Sequence, residues 1–281
     1  MCFAKKISGP SSARNFGIKK CNGDYIIFLD SDDRLEKDII ESLVNILMNK
    51  DYDIILFTTV FEMNDKISTP CSLQSFEFNE NDIDILNNSI YDKFEKFNQI
   101  LTFDGVEGKI IKKDFIKENK VEFPEDTFRF EDAIFCKQLY SNCKKMYFLS
   151  KIGCYYVQNN ESICHKYNDK ICEATYIALK YFYNMIDNKQ LFYIKCLTTL
   201  SECEKLYFFN KYNRKSYFKI RNDYSNMLKK DLYKETLKKI KLKSIPIHYK
   251  LEAILLKLGF LDVYFIFKKI YFRFKKEWYD V

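Results

Sequence analysis

Three aspartates within four residues, Asp30, Asp32 and Asp33, form the densest cluster of potentially reactive side chains in the sequence. They directly follow the apolar run at residues 25–29. We predict that this run is a fully buried strand, because its apolar residues do not alternate with polar ones. Ligands of open parallel sheets bind beyond the carboxyl ends of the strands. The aspartates are therefore expected at a binding edge.

Carboxylates this close repel one another unless a cation or solvent lies between them. A hard divalent cation, Mg²⁺ or Mn²⁺, is the natural partner, since it takes oxygen ligands and shares them with phosphates. Such a cation would neutralise charge that develops on a departing diphosphate. The alternative is a solvated loop whose last aspartate caps the next helix.

A second pair of carboxylates, Glu131 and Asp132, falls at the predicted start of a helix among aromatic residues. Partial desolvation by those aromatic residues would raise the pKa of a carboxyl group and suit it to act as a base. The alternative is that both acids only favour the positive end of the helix.

The elements that would position these carboxylates alternate between helix and strand. Ser11 or Ser12 can cap a first helix that Asn22-Gly23 stops. A second helix should present one apolar face, formed by Leu35, Ile39, Ile40, Leu43, Val44 and Leu47. A further buried strand is predicted at residues 54–57, strands at residues 147–149 and 155–157, and helices from about residue 168 onward. This order predicts an α/β fold with a mostly parallel sheet and flanking helices, followed by an α-helical C-terminal region.

Two adjoining stretches carry a specific resemblance. Residues 9–18 read GPSSARNFGI and residues 23–33 read GDYIIFLDSDD. They resemble the inverting glycosyltransferases of family 2, whose GT-A fold is Rossmann-like, in their Ala-Arg-Asn-x-Gly-Ile helix and their strand ending in Asp-x-Asp-Asp. Phe123-Pro124, followed by Glu131-Asp132-Ala133-Ile134-Phe135, resembles a second motif of that family. Gly108-Lys109-Ile110, residues 155–157 and residues 161–163 resemble weaker ones.

The resemblance implies a role for each site residue. Asp30 and Asp32 would bind the donor ribose and the metal-bridged diphosphate, and Asp32 and Asp33 would be the metal ligands. Arg14 would lie beside the donor nucleotide, where a guanidinium suits a phosphate. Its alternative role is a salt bridge to one of the three aspartates.

The same resemblance makes Asp132 the base that takes the proton of the acceptor hydroxyl, with Glu131 orienting it or touching the acceptor. His165 could touch a diphosphate or a metal, but we expect a structural or surface role for this histidine. The implied function is transfer of a sugar from a UDP-sugar, or another nucleotide-sugar, to a glycan or lipid-linked glycan in surface polysaccharide or lipopolysaccharide synthesis. A nucleotidyltransferase is disfavoured, because the sequence lacks a glycine-rich, lysine-containing phosphate loop.

The resemblance covers residues 9–165, which we assign to a truncated GT-A domain, and residues 166–281 form the helical region. Family members carry additional strands in front that hold the nucleotide base, and nothing before Gly9 can supply them. A misassigned start, a genuine fragment and a chain completed by a partner all remain open. We expect weak or absent turnover, and the alternative function is a non-catalytic remnant that binds a membrane or a partner protein.

The net charge of +7 is concentrated in the tail, where residues 229–281 hold 14 Lys and Arg against 6 Asp and Glu. Basic amphipathic sequence rich in aromatics predicts a peripheral contact with an anionic membrane. The alternative is that the aromatics pack on the catalytic domain with the lysines outward. Nucleic-acid binding is not expected, since no recognisable module is present.

The sequence offers no apolar run long enough to cross a bilayer and no signal-peptide core. Its ten cysteines show no paired or zinc-like spacing. These features predict a cytoplasmic protein with reduced cysteines, peripheral on the inner face of the cell membrane where the tail binds it.

Overall fold

The computed structural model describes residues 9–63, 66–68, 72–92, 103–157 and 167–277 of the 281-residue chain. These residues divide into two compact units, one within residues 1–162 and the other within residues 163–281. The boundary expected from the sequence lay between residues 165 and 166. His165 and the weak motif at residues 161–163 lie outside the described residues.

The first unit combines one sheet with helices. Its elements are α1 (Pro10–Lys20), β1 (Tyr25–Ile27), β2 (Arg34–Leu35), α2 (Ile39–Asn49), β3 (Ile54–Met63), β4 (Lys66–Ile67), β5 (Phe76–Glu77), α3 (Glu80–Ser89), β6 (Lys109–Lys112), α4 (Lys113–Glu118), α5 (Glu131–Asn142) and β7 (Met146–Val157). The strand order is β1-β6-β3-β7-β2, with β4 beside β3 and β5 beside β7. The α/β class with flanking helices is thereby confirmed.

The directions of the strands correct one expectation. Among the described pairings, β3 and β7 run parallel, whereas the other five pairings are antiparallel. The sheet is therefore mixed and not mostly parallel. The physical reason is that parallel neighbours need a crossover connection. β6 is instead entered from a loop at residues 103–108 and leads directly into α4.

Strand β1 is shorter and more exposed than the apolar run predicted. Only Ile26 of its three residues is buried, and Leu29, beyond its end, is 45% exposed. Among the described strands, β1 pairs with β6 alone, with Ile26 opposite Ile111. A strand paired on one side keeps part of its apolar surface open, which accounts for the difference.

The first two helices begin at other residues than the sequence suggested. Helix α1 starts at Pro10, which suits the first turn because proline has no backbone N–H that needs a hydrogen-bond partner there. Gly9, the residue before the helix, has φ of 110°. Ser11 and Ser12 lie buried inside its first turn and do not cap it. Helix α2 starts only at Ile39, because the residues before it form β2 and pair with β7.

The apolar face of α2 is narrower than its sequence implied. Ile39 and Leu43 are buried in a cluster with Ile55 and Phe57 of β3. Ile40 and Val44, expected on the same face, are about half exposed. The helix thus packs on the sheet along one line of side chains.

The second unit is helical, as predicted from residue 168 onward. It contains α6 (Ile171–Asn184), α7 (Lys189–Cys203), α8 (Tyr217–Leu228), α9 (Asp231–Lys239), α10 (Ile247–Lys257) and α11 (Leu261–Glu277). A π-helical turn at Glu204–Phe208 extends α7, and a 3-10 turn at Leu242–Ser244 precedes α10. No helix in the described ranges is both long and apolar enough to cross a membrane.

A buried charge network lies at the centre of this unit. Lys268, one of the basic residues of the tail, is fully buried. Its Nζ lies 2.9 Å from Oε2 of Glu204 and 2.6 Å from Oε1 of Glu252. Tyr224 and Tyr264 both donate hydroxyl hydrogen bonds to Glu204. The lysine is inside because two carboxylates compensate its charge there.

Candidate active site

Arg14, on α1, joins two carboxylates from distant parts of the chain. Its Nη2 donates to Oδ1 of Asp30 at 3.0 Å, and its Nη1 donates to Oδ1 of Asp132 at 2.7 Å. Only 14% of the arginine side chain is exposed. A planar guanidinium can serve two carboxylates at once in this way, whereas an ammonium has no such fixed fork. The structure therefore brings three of the predicted site residues together.

This arrangement bears on both interpretations of Arg14. The alternative of a salt bridge to one of the aspartates is what the structure shows for Asp30. The bridge to the carboxylate expected to act as base was not foreseen. Contact of Arg14 with a donor nucleotide stays a prediction.

Asn15, the next residue on α1, fastens the helix to the segment before α5. Its Nδ2 donates to the carbonyl oxygen of Phe123 at 2.9 Å, and its Oδ1 accepts from the amide nitrogen of Phe123 at 2.9 Å. Phe123 in turn stacks on Phe135 of α5 and meets Phe28 edge to face. These contacts hold α1 and α5 in the relation that the Arg14 bridge needs.

Asp132 lies in the first turn of α5, after an unusual backbone conformation. Phe130, the residue before the helix, has φ of 60° and ψ of 20°, the left-handed region that bulky residues rarely adopt. Backbone strain of this kind is concentrated at functional sites. It directs the chain into α5 so that Glu131 and Asp132 occupy its first turn.

The environment of Asp132 brings the pKa of its carboxyl group close to neutrality, where the group can act as a base. Burial raises the pKa of Asp132 to about 7, although the charge of Arg14 acts in the opposite direction. Burial likewise raises the pKa of Glu131. Burial acts to lower the pKa of Arg14, but Asp132 and Asp30 outweigh it and the pKa is raised. The prediction that desolvation would tune these acids agrees with these directions.

Three carboxylates lie close together beside the Arg14 bridge, and one of them, Asp30, also belongs to it. One carboxylate oxygen from each of Asp30, Asp33 and Glu107 lies within 4.8 Å of the others. Asp33 Oδ1 accepts from the amide of Val157 at 3.0 Å, and its Oδ2 is buried without a hydrogen-bond partner among the described residues. Burial raises the pKa of Asp33 to about 6, with Glu107, Asp32 and Asp30 adding to the effect and the Val157 amide opposing it. These residues fit a hard cation, because all three offer oxygen ligands.

Asp32 does not join this group. Its side chain is exposed, and the set that could hold a cation contains Asp33 and Asp30. Among the described residues, the carboxylates that converge on one point are those of Asp30, Asp33 and Glu107, and a metal-ligand role for Asp32 stays a prediction. Successive residues of a turn point in different directions, so the motif could not decide which aspartates converge. The donor-binding role predicted for Asp32 stays a prediction.

Glu107 is the site residue that the sequence did not single out. It precedes Gly108-Lys109, a pair noted only as a weak resemblance, and lies in a loop with no regular pattern. Gly108 has φ of 68°, which favours glycine, and Lys109 is fully buried with its Nζ donating to the carbonyls of Gly105 and Glu107. Gly108 and Lys109 were visible in the sequence, but the sequence did not show that they bring Glu107 close to Asp30 and Asp33.

The α/β fold of the chain is similar to that of a solved structure. The structure aligns with the crystal structure of Staphylococcus aureus TarS 1-349 in complex with UDP-GlcNAc at a TM-score of 0.60, covering 92% of this chain and 70% of that chain at 17% identity. Residues 2–105 match the family described as Glycosyl transferase family 2. This part of the chain, 104 of its 281 residues, is similar to that family.

Two curated relatives with named activities are similar to part of the chain. A poly(ribitol-phosphate) beta-N-acetylglucosaminyltransferase, TarS of Staphylococcus aureus strain MW2, is 25% identical over 153 residues, which is 54% of this chain and 24% of TarS. TarP of strain N315, of the same described activity, is 30% identical over 177 residues, 62% of this chain and 50% of TarP. The chain thus spans about a quarter to a half of the length of these relatives.

Proposed function

We propose that the chain transfers a hexosyl or N-acetylhexosaminyl group from a nucleotide-diphosphate sugar, in the first instance a UDP-sugar, to a glycan acceptor. The observation that carries the proposal is the bridge from Arg14 to Asp30 and Asp132. It links the carboxyl end of β1, where a donor would bind, to a carboxyl group whose pKa lies near neutrality.

In this proposal Asp132 takes the proton of the acceptor hydroxyl while the bond between the sugar and the diphosphate breaks. A base with a pKa of about 7 is about half deprotonated at pH 7 and still basic enough to accept a proton. Arg14 orients that carboxylate, and Glu131 lies beside it in the first turn of α5. A divalent cation, Mg²⁺ or Mn²⁺, held by the carboxylates of Asp30, Asp33 and Glu107, would neutralise charge on the departing diphosphate.

The names of the relatives support a surface polymer as acceptor. Two of them are named for action on poly(ribitol-phosphate), and one structurally similar protein was crystallised in complex with UDP-GlcNAc. We therefore propose a polyol-phosphate or similar surface glycan as the acceptor class and UDP-GlcNAc or UDP-glucose as the first donors to test. The reaction would take place on the cytoplasmic side, where nucleotide-sugars are made.

The same proposal includes a peripheral membrane contact through α10 and α11. Large apolar side chains are about half exposed or more there, including Leu251, Leu258, Phe260, Val263 and Ile266. The basic surplus of residues 229–281 suits an anionic lipid surface. Cosedimentation with phosphatidylglycerol vesicles should exceed that with phosphatidylcholine vesicles. It should fall in the double variant Leu258→Asn/Ile266→Asn, but not in the control Met48→Asn on α2.

The deciding experiment measures donor binding, donor hydrolysis and sugar transfer with a panel of nucleotide-sugars, in Mn²⁺ and in chelator. Asp132→Asn should retain donor binding and lose transfer, whereas the exposed control Asp24→Asn should behave as the parent chain. Transfer by Asp132→Asn at the parent rate would remove the proposed base. Absence of both binding and turnover in the parent chain would favour the non-catalytic alternative.

A further inference from the structure

We propose that a pocket within the second unit binds a phosphate-bearing sugar of an anionic glycan. The pocket has a volume of about 470 Å³, which is typical of small-ligand sites. It lies between the π-helical turn after α7, the start of α8 and one face of α11, and no residue of the candidate active site lines it. The proposal rests on the proposed function for the origin of the glycan, but binding itself can be measured without a donor.

Aromatic rings form most of the wall of this pocket. Phe209 lies 5.1 Å from Phe265 and 5.5 Å from Phe272, measured between ring centroids. Tyr217 meets Phe265 edge to face, and Ile220 is the one aliphatic side chain among the described lining residues. Because the face of an aromatic ring is partly negative, it attracts the partly positive C–H groups on one face of a sugar ring. The wall therefore favours a sugar ring over an acyl chain.

The chain segment around the pocket is strongly basic. Residues 205–222 contain six Lys and Arg and no Asp or Glu. Lys215, on the pocket wall, pairs with Asp223, but the same aspartate also pairs with Lys219 and divides its single charge between the two lysines. Lys269, the second lysine of the pocket, has no carboxylate partner among the described residues. This surplus of positive charge favours a ligand that carries an anionic group.

The walls of the pocket are held by the buried charge network of the second unit. Glu204 begins the π-helical turn, lies 2.9 Å from Lys268 Nζ and accepts hydrogen bonds from two buried tyrosines. Lys268 directly precedes Lys269 on α11, so one ion pair fixes both the turn and the helix that line the pocket. π-helical turns are frequent at functional sites. A pocket fixed in this way loses little conformational entropy when a ligand binds.

The rings and the lysines together select the class of ligand. A neutral sugar would leave the lysines unused, and a phosphate without a sugar would leave the rings unused. The exposed apolar side chains of α11, including Ile266 and Ile270, do not line the pocket, so the proposed membrane contact uses other residues. A phosphate-bearing glycan combines both features. Binding one unit of a polymeric acceptor here would raise the local concentration of its other units.

The test is saturation-transfer difference NMR on the full chain without donor, with glucose 6-phosphate, methyl glucoside and glycerol 1-phosphate as separate probes. Glucose 6-phosphate should bind at least about fivefold more tightly than the other two, because it alone offers both a ring and a phosphate. Equal binding of the three probes by the parent chain would overturn the proposal.

Substitutions locate the binding. Lys269→Gln should weaken binding of glucose 6-phosphate by about tenfold, and Tyr217→Leu by about two- to tenfold. Both side chains are exposed, so neither change should alter the Tm. The matched controls Lys211→Gln and Tyr212→Leu, from the same basic segment but outside the pocket lining, should bind as the parent does. Asp132→Asn should also bind as the parent does. Parent-like binding by Lys269→Gln, or weakening by Asp132→Asn alone, would place the ligand elsewhere and refute the proposal.

Vesicle cosedimentation distinguishes a lipid headgroup from a glycan as the source of the phosphate. Lys269→Gln and Tyr217→Leu should retain most of the binding to phosphatidylglycerol vesicles. If both variants lose vesicle binding and glucose 6-phosphate does not bind the parent chain, the pocket is a lipid site and the proposal is wrong. A parent chain that transfers sugar but does not bind glucose 6-phosphate would contradict this inference alone and leave the proposed function standing.

Discussion

Arg14 Nη1 lies 2.7 Å from Asp132 Oδ1, so a hydrogen bond connects the first helix to the proposed base, which lies 118 residues further along the sequence. Two opposing effects meet at this contact. Burial raises the pKa of Asp132, and the guanidinium lowers it, leaving it at about 7. The reactivity of the site should therefore depend on both the burial and the arginine.

The pH profile of transfer should report Asp132 directly. A base must be deprotonated, so kcat/KM should rise with pH through about 7 and fall about tenfold for each pH unit below it. Asp132→Asn should lower kcat/KM by about 10²–10⁴-fold and abolish this acidic limb. Steady-state rates between pH 5.5 and 9 test both expectations. An unchanged limb in the variant would assign it to another group.

Replacing Arg14 should move that limb. Because the guanidinium lowers the pKa of Asp132, Arg14→Gln should shift the midpoint to higher pH, and Arg14→Lys should shift it less. Arg14 makes two charge-assisted hydrogen bonds, to Asp30 and to Asp132, and both variants lose one of them. Because each bond contributes about 1.5–3 kcal/mol, kcat/KM at pH 8 should fall by about 10–100-fold. A profile with its midpoint unmoved in Arg14→Gln would show that the bridge does not tune the base.

The carboxyl group of Asp132 should lower the free energy of unfolding at neutral pH. The pKa of Asp132 is raised from 3.8 to about 7, so the native state holds its proton where the unfolded chain has lost it. Stability therefore falls as pH rises between about 4 and 7, by up to about 1.4 kcal/mol per pH unit. Asp132→Asn removes this loss, so its free energy of unfolding should gain on the parent chain across that window and then level off.

A control of opposite sign is available in Asp38. Lys151 lowers the pKa of this exposed aspartate through a hydrogen bond at 2.6 Å. Asp38 thus adds stability above its unfolded pKa, and Asp38→Asn should be less stable than the parent chain at pH 7 but equal to it in acid. Urea denaturation at several pH values measures both variants. A difference independent of pH in Asp132→Asn would contradict the argument.

Features that depend on neighbouring residues were predictable from the sequence. Arg14 and Asp30 stand in contiguous motifs, and the helical period and acidic first turn of α5 placed Glu131 and Asp132 correctly. The helical second unit follows from the same periodicity. Local spacing also identified the strands at residues 54–57 and 147–149, both of which form parts of longer strands.

Features that depend on distant partners were not predictable. Glu107 joins the site only because its loop is fastened to α5, and Lys268 is buried only because Glu204 and Glu252 meet it. Strand direction depends on connections across the whole sheet, which is why the sequence predicted a mostly parallel sheet and the structure has a mixed one. These three misses concern residues whose partners lie far away along the chain.

Asn15 offers a test of how α1 is attached. Asn15→Ala would leave the amide and the carbonyl of Phe123 buried without partners, at a cost of about 1–3 kcal/mol for each group. We expect the first unit to lose about 2–4 kcal/mol of unfolding free energy, measured by urea denaturation. The control Asn119→Ala removes an exposed amide that bonds only within its own helical turn, and it should cost less than about 1 kcal/mol. Equal losses in the two variants would contradict the role given to Asn15.

The buried network of the second unit gives the last prediction. Burial raises the pKa of Glu204, and the charge of Lys268 opposes that rise. Lys268→Met should therefore destabilise the unit by about 3–5 kcal/mol, because Glu204 keeps a buried charge with only Tyr224 and Tyr264 to satisfy it. In the double variant Lys268→Met/Glu204→Gln that charge is gone, and much of the lost stability should return. Lys269→Met, an exposed neighbour, should change stability little. Additive losses in the double variant would mean that the lysine and the glutamate act independently, despite the 2.9 Å that separates their charged atoms.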